Sequence, residues 1–139
     1  MKIAFTDKSI DLPEDSGFLN DTGAELIFLG RVRAMENGIP IVALEYEYYP
    51  GMAETKLKGI ASELLKKYDI QDIECVHRYG KVPVGEASIS IVIRSGHRAA
   101  GLLAMDRFIN ELKKEVPIWK WGITKEGKKF PSETREQKI

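Results

Sequence analysis

The sequence predicts an α+β fold, a mixed α/β sandwich in which a largely antiparallel sheet lies under two main amphipathic helices. Three observations predict it. Several stretches alternate apolar and polar residues with the period of two that a half-buried strand requires. Two longer stretches repeat apolar residues every three to four positions, as a helix with one buried face does. The third is scale: 139 residues, 43% of them hydrophobic, suffice for one core without disulfides or metals, so residues 1–139 read as a single domain.

Each element follows in order. Ala24, Leu26, Phe28, Gly30 and Val32 alternate with Glu25, Ile27, Leu29, Arg31 and Arg33, a strand with one buried face and two arginines leaving the other. Met35 to Pro40 contains Asn37-Gly38 and reads as a turn. Val42 to Tyr49 is a second strand, ended by Pro50-Gly51, and the two strands are expected to pair as a hairpin. From Met52 to Tyr68 the residues Ala53, Leu57, Ile60, Ala61, Leu64, Leu65 and Tyr68 fall at helical spacing. Ile73, Cys75 and His77 form the apolar side of a third strand, which Gly80 and Pro83 interrupt before Ala87 to Arg94 resumes. After Ser95-Gly96 a second helix runs from about His97 to Glu115, with Ala100, Leu103, Ala104, Phe108 and Leu112 as its inner stripe, until Pro117 blocks it. Ile118 to Ile123 is a short strand. From about residue 126 the chain is polar, a tail expected to be mobile unless a partner orders it.

The chain carries 21 basic and 21 acidic residues, which cancel. Zero net charge argues against a nucleic-acid binder that works through a broad basic face, and leaves room for a compact anion site. Cys75, the single cysteine, excludes an internal disulfide and fits a reducing compartment. No apolar run reaches membrane-spanning length, and Met1 to Phe5 runs into Asp7 rather than into a signal-peptide core, so a cytoplasmic protein without membrane contact is expected.

Local charge singles out the candidate site residues. His97 and Arg98 begin a helix, where unpaired amides and the macrodipole already favour an anion; basic side chains there have the wrong sign for helix stability. Arg33 ends a strand close to Gly30, whose missing side chain lets a ligand or another backbone approach. Lys113 lies in the last turn of that second helix, Pro117 reverses the chain, and Lys120 follows on the strand beside Trp119 and Trp121. Two amines near one cleft are suited to acid/base or electrostatic work. Taken singly, each of these residues also reads as an ordinary surface cation. Sixteen helical steps of about 1.5 Å separate His97 from Lys113, roughly 24 Å, so both ends reach one small ligand only across a subunit boundary. A twofold homodimer supplies that arrangement twice.

The ordered blocks Phe28-x-Gly30-x-Val32-Arg33, Leu44-x-Tyr46-Glu47-x-Tyr49-x-x-Met52-Ala53, His77-Arg78-x-Gly80, Gly85-Glu86, His97-Arg98 and Lys113-x-x-x-Pro117-Ile118-Trp119-Lys120 resemble the catalytic, large subunit of molybdopterin synthase. The resemblance implies a hammerhead-like fold and a sulfurtransferase that converts cyclic pyranopterin monophosphate, precursor Z, into the dithiolene molybdopterin. It implies as partners a small ubiquitin-like sulfur carrier, with a C-terminal Gly-Gly thiocarboxylate, and a second copy of the chain. No metal or cofactor is implied. Carried over position by position, Arg33, His97 and Arg98 match substrate-binding residues, and Lys113 and Lys120 match the lysines essential for sulfur transfer. Arg135 is an approximate counterpart of a tail arginine. The chain departs from the pattern at Trp121-Gly122, where a polar residue and a glutamate are usual, and at Gly101-Leu102, where Ala-Phe is usual. The alternative reading is a non-catalytic homologue that binds the carrier without turnover.

Overall fold

The computed structural model describes residues 1–12 and 20–132. Its central sheet contains β1 (Lys2–Thr6), β6 (Asp72–Arg78), β8 (Ala87–Ser95) and β2 (Ala24–Arg31), side by side in that order. β1 runs parallel to β6, and the other pairs are antiparallel. Strand β8 is buried along its whole length, as expected of a strand paired on both edges and covered on a face.

Two helices cover one side of this sheet. In α1 (Met52–Lys67) the residues Ala53, Leu57, Ala61 and Leu64 are buried, while Ile60 and Leu65 pack at the margin of the core. Glu54 accepts a 2.6 Å hydrogen bond from the Gly51 amide, and Lys66 and Lys67 sit at the carboxyl end where the helix dipole favours them. In α2 (Arg98–Glu115) the buried stripe is Gly101, Ala104, Met105, Phe108 and Leu112. Leu103, expected on that stripe, is instead 62% exposed. A step of 100° per residue cannot bury 103 together with 101, 105 and 108, and Gly101 wins because it lies against Leu26 and Ser95, where a side chain would collide. Both helices pack on Ile73, Cys75, Ile89, Ile91 and Ile93, which share one face of β6 and β8.

A second sheet has the order β10 (Lys129–Pro131), β9 (Ile118–Ile123), β5 (Ala43–Tyr48) and β7 (Gly80–Pro83), all antiparallel. It carries a smaller core of Val32, Ile41, Leu44 and Val82, with Tyr46 and Phe130 against it. The expected hairpin of β2 with β5 does not form: β2 pairs with β8, and β5 lies between β7 and β9. The Asn37-Gly38 turn closes only a two-residue ribbon, β3 (Met35–Glu36) with β4 (Ile39–Pro40), with both turn residues at positive φ (53° and 78°). The break seen around Gly80 and Pro83 is a change of sheet, with Gly80 (φ 82°) as its pivot. The tail is ordered further than expected, since β10 pairs with β9 through Pro131; residues 133–139, including Arg135, lie outside the described residues.

An aromatic seam joins the two sheets. Phe5 of β1 stacks on Tyr48 of β5 with ring centroids 4.1 Å apart, and His77 sits between Phe5 (5.8 Å) and Tyr46 (5.2 Å). On the opposite face of the central sheet, Arg94 is buried and paired with Glu25 (2.8 Å), Glu74 (2.6 Å) and Asp72 (3.3 Å). Among the described residues no helix is long and apolar enough to cross a membrane.

Candidate active site

A cleft of about 620 Å³ opens where the end of α2 meets β9, the end of β2 and the β3–β4 ribbon. Its apolar wall comes from Phe28, Ile89, Ile91, Ile109, Leu112, Val116 and Ile118. Its cations are Arg31, Arg33, Lys113 and Lys120, against the single carboxylate of Glu36. Four cations and one anion make the lining strongly positive although the chain is neutral.

Local structure explains how they converge. A register shift between Gly30 and Arg31 bends the end of β2, and Arg31 is tied down by a 2.9 Å hydrogen bond to the Gly85 carbonyl. Gly30 leaves room that the Ile89 and Phe28 side chains fill. Lys113 is exposed in the last turn of α2, where the Val116 amide closes the helix on the Leu112 carbonyl and Pro117 stops it. Lys120 is paired across β9 with Tyr46 of β5, which puts it on the inner face of the second sheet. Trp119 and Trp121 take the other face; the Trp121 indole N–H donates to Glu47 (3.3 Å), and Lys129 Nζ lies 5.2 Å from the Trp121 ring.

The structure thus brings Arg33, Lys113 and Lys120 into one cleft of a single chain. His97 and Arg98 are not part of it. They are exposed at the other end of α2, with His97 as the N-cap, no side-chain cap and no acidic residue in the first turn.

Three polar groups escaped the sequence reading. Glu36, read as part of a turn, is only 6% exposed and forms an ion pair with Lys120 (Oε2 to Nζ, 3.0 Å), while the Ser132 hydroxyl donates to the same carboxylate oxygen. Burial pushes the Glu36 carboxyl up, but the hydrogen bonds from Ser132 and Lys120 and the charges of Lys120 and Arg33 outweigh it and hold it below the usual range. His77, on the apolar side of its strand, is only 5% exposed and lines the cleft. Burial among aromatic rings lowers its pKa to about 4, so the ring is neutral near pH 7, and Nδ1 lies 2.9 Å from the Arg78 carbonyl. Tyr46 donates to the Ser88 hydroxyl, which donates to the Gly30 carbonyl, each at 3.3 Å. The one available signal for Glu36 was a lone acid beside Asn37-Gly38, three residues after Arg33. Gly122 is covered by Phe130, whose ring would lie 2.4 Å from an added Cβ. Cys75 is fully buried, and burial pushes its thiol up to about 12, so it is not a nucleophile at neutral pH.

Two antiparallel-rich sheets, two covering helices and this cationic cleft define an α+β enzyme fold seen in solved relatives. Molybdopterin synthase from Staphylococcus aureus superposes with a TM-score of 0.82 at 31% identity, covering 90% of this chain and 93% of that one. A complex of subunits 1 and 2 of molybdopterin-converting factor from Helicobacter pylori shares the fold at 24% identity, with a TM-score of 0.70 over 83% of this chain and 75% of that one. The molybdopterin synthase catalytic subunit of Homo sapiens is 40% identical over 126 residues, 89% of this chain and 67% of the relative. Residues 5–115 match the family described as MoaE protein. The chain belongs to that family, the catalytic subunits of molybdopterin synthase, and is an enzyme of the sulfurtransferase type.

Proposed function

We propose that this chain, as a homodimer in the cytoplasm, transfers sulfur from the thiocarboxylated Gly-Gly terminus of a small ubiquitin-like carrier to cyclic pyranopterin monophosphate, forming the dithiolene of molybdopterin. The observation that carries the reading is the gathering of Arg33, Lys113 and Lys120 in one cleft of a family member. The guanidinium of Arg33 suits a phosphate, which it can grip with charge-assisted hydrogen bonds. The carrier sulfur bonds to the pterin side chain to give a thioester, and water then cleaves its acyl C–S bond and releases the carrier as a carboxylate; the lysines move protons in the first step and stabilise the oxyanion that develops on the carrier carbonyl in the second. The apolar wall of Phe28, Ile109, Leu112 and Ile118 offers a slot for the two glycines, which have no side chains, with the anionic terminus directed to the lysines. The Helicobacter pylori neighbour, a two-subunit complex, is consistent with a carrier partner.

Dimerisation brings in His97 and Arg98 from the second copy. Two features support it: β2 is an edge strand with Ile27 43% exposed, and Leu102 and Leu103 of α2, the helix packed on it, are 54% and 62% exposed. Such an apolar strip beside an open strand edge suits a second copy. The alternative, a carrier-binding homologue without turnover, rests on Gly122, but that residue lies under Phe130 and the two lysines and Arg33 remain in the cleft.

The test is reconstitution with thiocarboxylated carrier and precursor Z. Wild-type protein is expected to yield molybdopterin, and Lys120→Ala to lose turnover while remaining a dimer by sedimentation. Carrier binding without product in the wild type would instead establish the alternative.

A further inference from the structure

Lys113 and Lys120 share a cleft but are held differently. Lys113 is exposed and forms no ion pair among the described residues. Lys120 is tethered to Glu36 at 3.0 Å, and Glu36 is itself fixed three ways: it is buried, its β3–β4 ribbon is closed by an Asn-Gly turn, and Ser132 donates to the oxygen that Lys120 contacts. Ser132 is placed by its own amide, which donates to the Lys120 carbonyl at 3.0 Å, continuing the β9–β10 pairing. Backbone and side chain of Lys120 are thus both tied to one Ser132–Glu36 unit. A free lysine sweeps a wide volume through four rotatable bonds; a lysine clamped to a buried carboxylate presents its charge at one point.

We infer that Glu36 is a positioning residue for sulfur transfer, clamping Lys120 as the stationary cation of the cleft while Lys113 is left as the mobile amine. Glu36 does not cancel the attraction for an anionic substrate, because Arg31, Arg33 and Lys113 line the same cleft. The assignment rests on the proposed role of Lys120 and separates the two lysines: Lys120 stabilises developing negative charge as an ammonium, and Lys113 is free to approach and leave with a proton.

The experiment compares single-turnover rates at saturating thiocarboxylated carrier and precursor Z for the wild type, Glu36→Gln, Glu36→Asp, Ser132→Ala and Lys120→Ala. Carrier affinity is measured by calorimetry and the folded fraction by thermal melting. Glu36→Gln keeps size and an acceptor oxygen but removes the charge; its rate is expected to fall about 10- to 100-fold, with pterin KM and carrier Kd within about twofold of the wild type. Glu36→Asp is expected to recover part of the loss, and Ser132→Ala to fall about threefold. If Glu36→Gln turns over at the wild-type rate per folded protein while Lys120→Ala is inactive, the positioning role is overturned and the lysine assignment stands. If Lys120→Ala is itself active, both fall. Should Glu36→Gln fail to fold, Ser132→Ala decides: a rate equal to the wild type overturns the proposal.

Discussion

His77 shows how a single residue acquires its character from the fold. In the sequence it opens a His-Arg pair on a strand; in the structure it is a neutral ring wedged between Phe5 and Tyr46. Its pKa of about 4 lies below the unfolded value of 6.5. Between those values the unfolded chain binds the proton that the folded chain refuses, so stability is fully present above about pH 6.5 and is lost as pH falls toward 4. The expected loss is up to about 3 kcal/mol. Urea denaturation at pH 7 and at about pH 4.5 should show this drop in the wild type and a much smaller one in His77→Gln; equal drops would show that other groups carry it. Arg33, Lys113 and Lys120 each read locally as an ordinary surface cation, and it was their place in the ordered motif blocks that singled them out. Glu36 could not be found from sequence, since its partners Lys120 and Ser132 are 84 and 96 positions away, brought together only by the pairing of β9 with β5 and β10.

At the scale of elements, alternation and helical spacing located both helices and the long strands to within a residue or two at most ends. What periodicity cannot carry is pairing. It shows which side of β5 is apolar, not that the partners are β7 and β9, because the choice depends on contacts far along the chain. The short β10 was missed for the same reason: Lys128-Lys129 looks like solvated tail until Phe130 is seen covering Gly122. That contact is an aromatic ring closing over a glycine, and it predicts a coupled pair. Gly122→Ala pushes the ring aside and should cost about 1–3 kcal/mol, whereas in a Phe130→Ala background the same change should cost much less. Denaturation of the four proteins measures the coupling, and additive effects would show that β10 is not held by this contact. The absence of a side chain at 122 is thus a packing solution.

At the scale of the whole molecule, α2 connects two places that one chain keeps apart. Its carboxyl end delivers Lys113 to the cleft, and its amino end exposes His97 and Arg98 with no side-chain cap and no acidic residue in the first turn. Helix length alone made this separation legible in the sequence, whereas the exposed apolar strip on α2 was not, because Leu103 read as core until the structure exposed it. The proposed site is shared between subunits, and complementation measures that sharing most directly. Arg98→Ala and Lys120→Ala homodimers should each be inactive in molybdopterin formation. Co-expressed so that subunits mix at random, they should regain about a quarter of wild-type turnover, because half the dimers then contain one site with both defects in the other. Activity that stays absent in a verified mixed dimer would contradict the shared site and confine the chemistry to the cleft of a single chain.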